Sequence, residues 1–191
     1  MSAIDDLLQK TSRTFALAIP LLPEPTRNQV GIAYLLFRIA DSFEDGTLWP
    51  RDRRLAALDR FSELLARDPD EAQALAAECL RDPPIAHAGY RELLARMPLV
   101  LRDLAGLPEA ARAIVVWQVR RSVEGMKGFV RRADARDRLT LTTMDELRDY
   151  CYSVAGIVGE MLTELYLLDR IELAAPAEEL RNRAAAFGEG L

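Results

Sequence analysis

Gly31-Ile32-Ala33-Tyr34-Leu35-Leu36-Phe37-Arg38-Ile39-Ala40-Asp41-Ser42-Phe43-Glu44-Asp45 is apolar around most of a helix and polar along a single line. Residues at i, i+4, i+7 and i+11 share one helical face; counted from Tyr34 they are Arg38, Asp41 and Asp45. Ile32, Leu35, Leu36, Phe37, Ile39 and Phe43 fill the other faces. A helix that is apolar nearly all round is a buried one. The spacing therefore predicts a phenol, a guanidinium and two carboxylates inside a protein, where unpaired charge is very costly. Two carboxylates one turn apart, with an arginine beside them, point to metal ions carrying an anionic substrate. Asp41 and Asp45 can share or flank a Mg²⁺, which takes oxygen ligands and keeps waters and substrate phosphates in its shell. Glu44 projects to another side, as an outer partner of the metal or toward solvent. A D-x-x-x-D spacing is common by chance on surface helices; the apolar helix ahead of it turns the reading toward a lined cavity.

Working outward, the rest of the chain is ordinary in bulk. Its 191 residues predict a single domain with a substantial core. Half are hydrophobic and 29% charged, as in soluble globular proteins. Ala, Leu, Arg and Glu are abundant and β-branched residues sparse, so the intrinsic preference is helical. A net charge of −5 and the absence of a basic tract argue against nucleic acid as a partner. Cys79 and Cys151 lie far apart and form neither a disulfide framework nor a zinc signature. Met1-Ser2-Ala3-Ile4-Asp5-Asp6 lacks the basic and long apolar regions of a signal peptide. No run approaches about 18 unbroken apolar residues, so no bilayer-spanning segment is expected. The location expected is the cytoplasm. The preference for arginine over lysine, which occurs only at Lys10 and Lys127, fits a GC-rich bacterial genome.

Proline divides the chain into helices. The pattern predicts helices at about 3–19, 26–45, 51–67, 70–80, 84–95 and 98–105, and a long one from Pro108 to about Val130. Arg131 to Arg138 reads as a mixed-charge loop. Thr143-Met144-Asp145-Glu146 is a capping box opening a helix to about Asp169. A last helix starts near Pro176 and is still running at Gly190-Leu191, so the sequence reads as a piece of a longer chain.

Two further segments could carry chemistry. In Tyr150-Cys151-Tyr152-Ser153-Val154-Ala155-Gly156-Ile157-Val158-Gly159-Glu160-Met161-Leu162, one stripe holds Tyr150, Val154, Ile157, Met161 and Leu165. Ser153, Gly156, Gly159 and Thr163 gather on another side. Each mid-helix glycine costs about 1 kcal/mol relative to alanine, which demands a reason: close approach of another backbone, the commoner case, or room for a ligand. Ser12-Arg13-Thr14-Phe15 places hydroxyls and a guanidinium, suitable phosphate donors, ahead of an apolar stretch; in isolation it is an ordinary helix start. His87, the single histidine, has no evident partner, and Trp49 and Trp117 read as packing residues. No Gly-rich phosphate loop, nucleophile elbow or H-E-x-x-H occurs.

Taken together, Ser12–Phe15, Tyr34–Asp45 and Tyr150–Glu160, in this order and spacing, resemble the squalene/phytoene synthase family of head-to-head prenyl synthases. The resemblance implies an all-α isoprenoid-synthase fold around a central cavity. There, two prenyl diphosphates, farnesyl or geranylgeranyl, condense with Mg²⁺ through a cyclopropyl diphosphate to squalene, dehydrosqualene or phytoene. By position, Asp41, Glu44 and Asp45 match the first aspartate-rich, metal-binding motif. Ser12, Arg13 and Arg38 match diphosphate contacts, Phe15 belongs to the same substrate-binding block, and Tyr34 matches a tyrosine lining that site. Tyr150 matches the tyrosine implicated in the first half-reaction, and Val154, Ala155, Val158 and Gly159 match the walls of the prenyl channel. A finish to squalene uses NADPH as well. Greasy substrates and products make peripheral membrane contact an expected feature.

In the family a second aspartate-rich motif faces the first. Ala186-Phe187-Gly188-Glu189-Gly190-Leu191 resembles the approach to it, so the 191 residues alone are expected to be inactive or nearly so. Two rivals share parts of this pattern. A non-catalytic scaffold on the same fold has no use for buried, uncompensated charge, and a class I terpene cyclase shares the metal logic but leaves the Tyr150–Glu160 block unexplained.

Overall fold

A computed structural model describes residues 3–12, 14–134 and 136–190, and the regular elements among the described residues are all helices, with no strand. The chain divides into two compact units, Met1–Leu107 and Pro108–Leu191.

In the first unit, helix α1 (Ala3–Thr11) buries Ile4, Leu7, Leu8 and Thr11, the i, i+3, i+4, i+7 face of an amphipathic helix. The single helix expected over 3–19 is broken. Ser12 Oγ accepts from the backbone N–H of Phe15 at 2.9 Å and opens a separate short helix, α2 (Phe15–Ala18). A hydroxyl that competes for backbone donors is a stop signal that apolar periodicity alone conceals. Helix α3 (Thr26–Glu44) is buried over most of its length, from Thr26 to Phe43. It ends at a corner closed by Trp49, which is 2% exposed, stacks on Phe43 at 6.1 Å and donates its indole N–H to Asp82 O at 2.9 Å. Helices α4 (Arg51–Leu64), α5 (Gln73–Arg81), α6 (Ala88–Ala95) and α7 (Met97–Ala105) complete this unit, with α3 packed against α1, α4, α6 and α7. Helix α6 begins four residues later than the predicted 84. The residue before each proline is kept out of the α region, so Pro83-Pro84 leads into a non-helical stretch as far as His87.

The second unit is built on α8 (Glu109–Arg132), which buries Val115, Val119, Val123, Met126 and Val130. Arg131 and Arg132 belong to its last turn rather than to the loop. Trp117 is 64% exposed and is no packing residue here. The capping box forms as expected, Glu146 N donating to Thr143 Oγ1 at 3.1 Å and Thr143 N to Glu146 Oε2 at 3.3 Å. It starts α9 (Met144–Cys151), which runs through a π-helical turn (Tyr152–Gly156) into α10 (Ile157–Asp169). Ser122 Oγ on α8 donates to Ser153 O of that turn at 2.7 Å. Helix α11 (Ala177–Glu189) crosses α10.

At Gly159 the sequence question is answered in favour of packing. A Cβ on Gly159 would lie 2.0 Å from Ala184 O, and one on Gly188 would lie 2.2 Å from Ala155 O. Two backbones meet where neither helix can carry a side chain. The segment Met144–Asp169 is long and apolar enough, by length and composition, to cross a membrane, with 28% of its most apolar window buried. The count of unbroken apolar residues misses it because Glu160 and Glu164 interrupt the run. Both carboxylates are ion-paired to neighbouring helices, Glu160 with Arg121 of α8 and Glu164 with Arg181 of α11.

The crossing gives a direct test. Gly159→Ala should lower the urea-unfolding free energy by roughly 2–3 kcal/mol, because the backbones must part. Gly128→Ala on α8, where a Cβ meets nothing within 4 Å, should be neutral or stabilising by about 0.5–1 kcal/mol. Equal losses in the two variants would contradict the crossing.

Candidate functional site

The end of α1 sets the scene in the first unit. Thr11 leaves its carbonyl unused by the helix, and Tyr34 Oη donates to it at 3.2 Å. The Tyr34 ring lies 5.3 Å from that of Phe15. Ser12 hydrogen-bonds the same phenol, partly offsetting the burial that pushes the Tyr34 pKa up. So Ser12, Phe15 and Tyr34, predicted from separate segments, stand together. Arg13 lies outside the described residues.

One turn along α3, Arg38 Nη1 donates to Asp41 Oδ2 at 2.9 Å, with side-chain exposures of 28% and 26%. Arg38 Nη2 donates to Tyr90 Oη, and its guanidinium carbon lies 4.7 Å from the centre of the Tyr90 ring. Tyr90, on α6, is the residue that sequence reasoning missed. It belongs to no recognisable motif, and only its register on a helix packed against α3 brings it in. His87 is not isolated either, since its ring is 4.4 Å from that of Tyr90. Arg38 Nε is buried without a hydrogen-bond partner. A buried polar group left so costs about 1–3 kcal/mol, so the guanidinium is held in place by Asp41 and Tyr90 against that penalty.

The carboxylates at the end of α3 are short of positive charge. Burial pushes Asp41 up to about 6, with Arg38 pulling it down and Asp45 adding to the rise. Burial, then repulsion from Asp41 and Asp45, pushes Glu44 up to about 8, opposed by Arg54. Asp45 is raised too, chiefly by burial. Glu44 is therefore electrostatically one of the set, although its side chain leaves the Tyr34–Asp45 line. Arg54 of α4 is 4% exposed and donates from Nη1 to Glu44 O at 2.5 Å, fixing the helix end by its backbone. Three mutually repelling carboxylates offer oxygen donors that a hard divalent cation favours. Among the described residues no three His, Cys, Asp or Glu side chains form a ready-made metal cage.

In the second unit Tyr150 is half-buried, its ring edge-on to Phe129 with centres 5.1 Å apart. Val154 and Ala155 lie in the π-helical turn and Val158 follows it, all partly exposed. Gly159 is committed to the crossing with α11. Tyr152 Oη donates to Glu160 Oε1 at 2.8 Å, and Arg121 Nη1 donates to Glu160 Oε2 at 2.5 Å, a buttress to the turn that no motif announced.

The comparisons with known proteins agree with the geometry. A family model described as squalene/phytoene synthase matches residues 8–191. The chain belongs to the squalene/phytoene synthase family. Within it, squalene synthase of Schizosaccharomyces pombe is 28% identical over 174 residues, covering 87% of this chain and 34% of that protein. Human squalene synthase is 28% identical over 185 residues, covering 95% of this chain and 39% of the human one. Lycopaoctaene synthase of Botryococcus braunii is 29% identical over 185 residues. Among solved structures, the complex of TcSQS with the ligand E5700 superposes with a TM-score of 0.77 at 30% identity, covering 97% of this chain and 49% of that one. The all-α squalene synthase fold is thus confirmed, and the chain spans less than half the length of these relatives.

The raised carboxylates predict a specific pH dependence. Glu44 holds its proton more tightly in the folded chain, about 8, than at the ordinary 4.5. Its ionisation therefore weakens the fold progressively as pH rises between those values, and the fold is favoured at lower pH. Glu44→Gln should raise the unfolding free energy of the metal-free protein by on the order of 1–2 kcal/mol at about pH 8 and by nothing at about pH 4. Denaturant titrations at the two pH values check this.

Proposed function

We propose that the protein carrying this chain joins two prenyl diphosphates head to head, with release of diphosphate. The single observation that supports this most is the run of Arg38, Asp41 and Glu44 on α3 with Asp45 at its C-cap, half-buried as far as Glu44 and opening to solvent at Asp45, whose three carboxylates all have raised proton affinity. Such a cluster is tolerable where a cation completes it and an anion follows the cation.

In this reading Asp41 and Asp45 would hold Mg²⁺, with Glu44 supporting them. When bound, Mg²⁺ neutralises the charge that grows on the leaving diphosphate. Arg38, Ser12 and Arg13 bind and orient that diphosphate. Phe15 and Tyr34, paired ring to ring, screen the allylic end from water, and Tyr34 offers a π-face to developing positive charge, worth about 2 kcal/mol when desolvated. Tyr150 serves the first condensation, in which an allylic cation adds across the double bond of the second substrate and a proton is lost as the cyclopropane closes. Val154, Ala155 and Val158 flank the prenyl chain, with Gly159 letting α11 back that wall. Loss of the second diphosphate and rearrangement then leave a cation that yields phytoene or dehydrosqualene by losing a proton, or squalene where NADPH supplies a hydride. A partly exposed apolar segment at Met144–Asp169 fits an enzyme that meets greasy substrates at a membrane surface.

The test is turnover by the full-length protein. With farnesyl or geranylgeranyl diphosphate and Mg²⁺, with and without NADPH, it should release diphosphate and form a doubled prenyl product. Asp41→Asn and Asp45→Asn should each cut turnover on the order of 100-fold or more while circular dichroism keeps its helical signal. No diphosphate release from either substrate would sink the proposal in favour of a scaffold role.

A further inference from the structure

Arg38 is the only described arginine on the polar line of α3, so whatever sets its guanidinium sets the anion contact available there. Asp41 restrains it through Nη1 at 2.9 Å. In the reading above, however, Asp41 also ligates the cation, and a carboxylate shared with a cation grips an arginine less firmly. The other restraint is Tyr90, which accepts from Nη2 and lies beside the guanidinium with 4.7 Å from its carbon to the ring centre.

We propose that Tyr90 is the positioning residue of this site, holding the Arg38 guanidinium in register for diphosphate whether or not Asp41 is engaged elsewhere. The inference rests on the prenyl-diphosphate reading for its ligand, but its structural half stands by itself.

Three observations carry it. First, the guanidinium sits where Nε is buried and unpartnered, so its position reflects restraint by its two partners rather than optimal bonding of all its donors. Second, Tyr90 is itself fixed. Helix α6 starts against the end of α1 so closely that a Cβ on Gly89 would lie 2.2 Å from Lys10 O, and Lys10 Nζ donates to Glu92 Oε1 at 2.9 Å. His87, three residues earlier, places its ring centre 4.4 Å from that of Tyr90. Third, the same α1 end carries Thr11 O, the acceptor for Tyr34. One rigid corner therefore positions both Tyr34 and, through Tyr90, Arg38. Tyrosine suits this place because its hydroxyl accepts from a guanidinium while its ring adds a cation–π contact. Phenylalanine would keep only the second, and leucine neither.

The experiment uses two independent readouts on the full-length protein. Calorimetry measures binding of inorganic pyrophosphate with Mg²⁺, and NMR of the arginine Nε–Hε groups measures how freely the Arg38 guanidinium moves in the absence of ligand. Tyr90→Phe should weaken pyrophosphate binding about three- to tenfold, and Tyr90→Leu further, without loss of thermal stability large enough to unfold either variant. In an Arg38→Lys background Tyr90→Phe should add no further loss, since its effect passes through the guanidinium. The Arg38 Nε–Hε signal should become more mobile in both Tyr90 variants. If Tyr90→Phe leaves both pyrophosphate affinity and Arg38 mobility at their wild-type values, the positioning role is overturned. If the wild-type protein binds no pyrophosphate while Arg38 mobility still depends on Tyr90, the diphosphate reading fails and the positioning role survives.

Discussion

Everything in the first unit follows from the need to keep a guanidinium and three carboxylates on a helix that is otherwise buried. Helix α3 packs against four others, so Tyr34, Arg38 and Asp41 of its polar line are half-buried and only Asp45 is exposed to solvent. Partners are brought to that line: the carbonyl of Thr11 for Tyr34, the phenol of Tyr90 for Arg38, and Arg54 at the last carbonyls. What is not supplied is enough positive charge. Asp41, Glu44 and Asp45 are all left with raised proton affinity, so the fold carries an electrostatic cost that a bound cation would remove. Sites of this kind commonly give up stability for function.

The second unit solves a different problem. An apolar helix with two internal glycines carries Tyr150, Val154 and Val158, and it departs from the α-helical hydrogen-bond ladder at Tyr152–Gly156. The π-helical turn is stitched from outside, by Ser122 to the Ser153 carbonyl and by Arg121 and Tyr152 on Glu160. On the opposite side the backbone of α11 is pressed into the small residues. π-helical turns are frequent at functional sites, and here the turn contains Val154 and Ala155, two of the residues proposed for the prenyl wall.

Much of this was legible in the order of residues. The helical class, the buried helix at 26–45 and the Thr143 capping box follow from periodicity and local hydrogen-bond chemistry. The polar line from Tyr34 to Asp45 follows from residue spacing, because i, i+4, i+7 positions share a face in any helix, whatever surrounds it. Family membership followed from three short blocks in fixed order.

Other features depended on which helices meet. Tyr90 stands in no motif, and only the docking of α6 on α1 and α3 makes it a neighbour of Arg38. The break at Ser12 came from one hydroxyl outcompeting a helix that the apolar pattern would have continued. For Gly159 the sequence favours backbone contact over ligand space without naming the partner, and it is the backbone of α11 that occupies its face. Sequence thus fixed which groups line up along each helix, since that depends on local geometry alone. Only the tertiary structure decided which partners those groups meet and how far their charges are left uncompensated, because proximity and burial arise between segments distant in the chain.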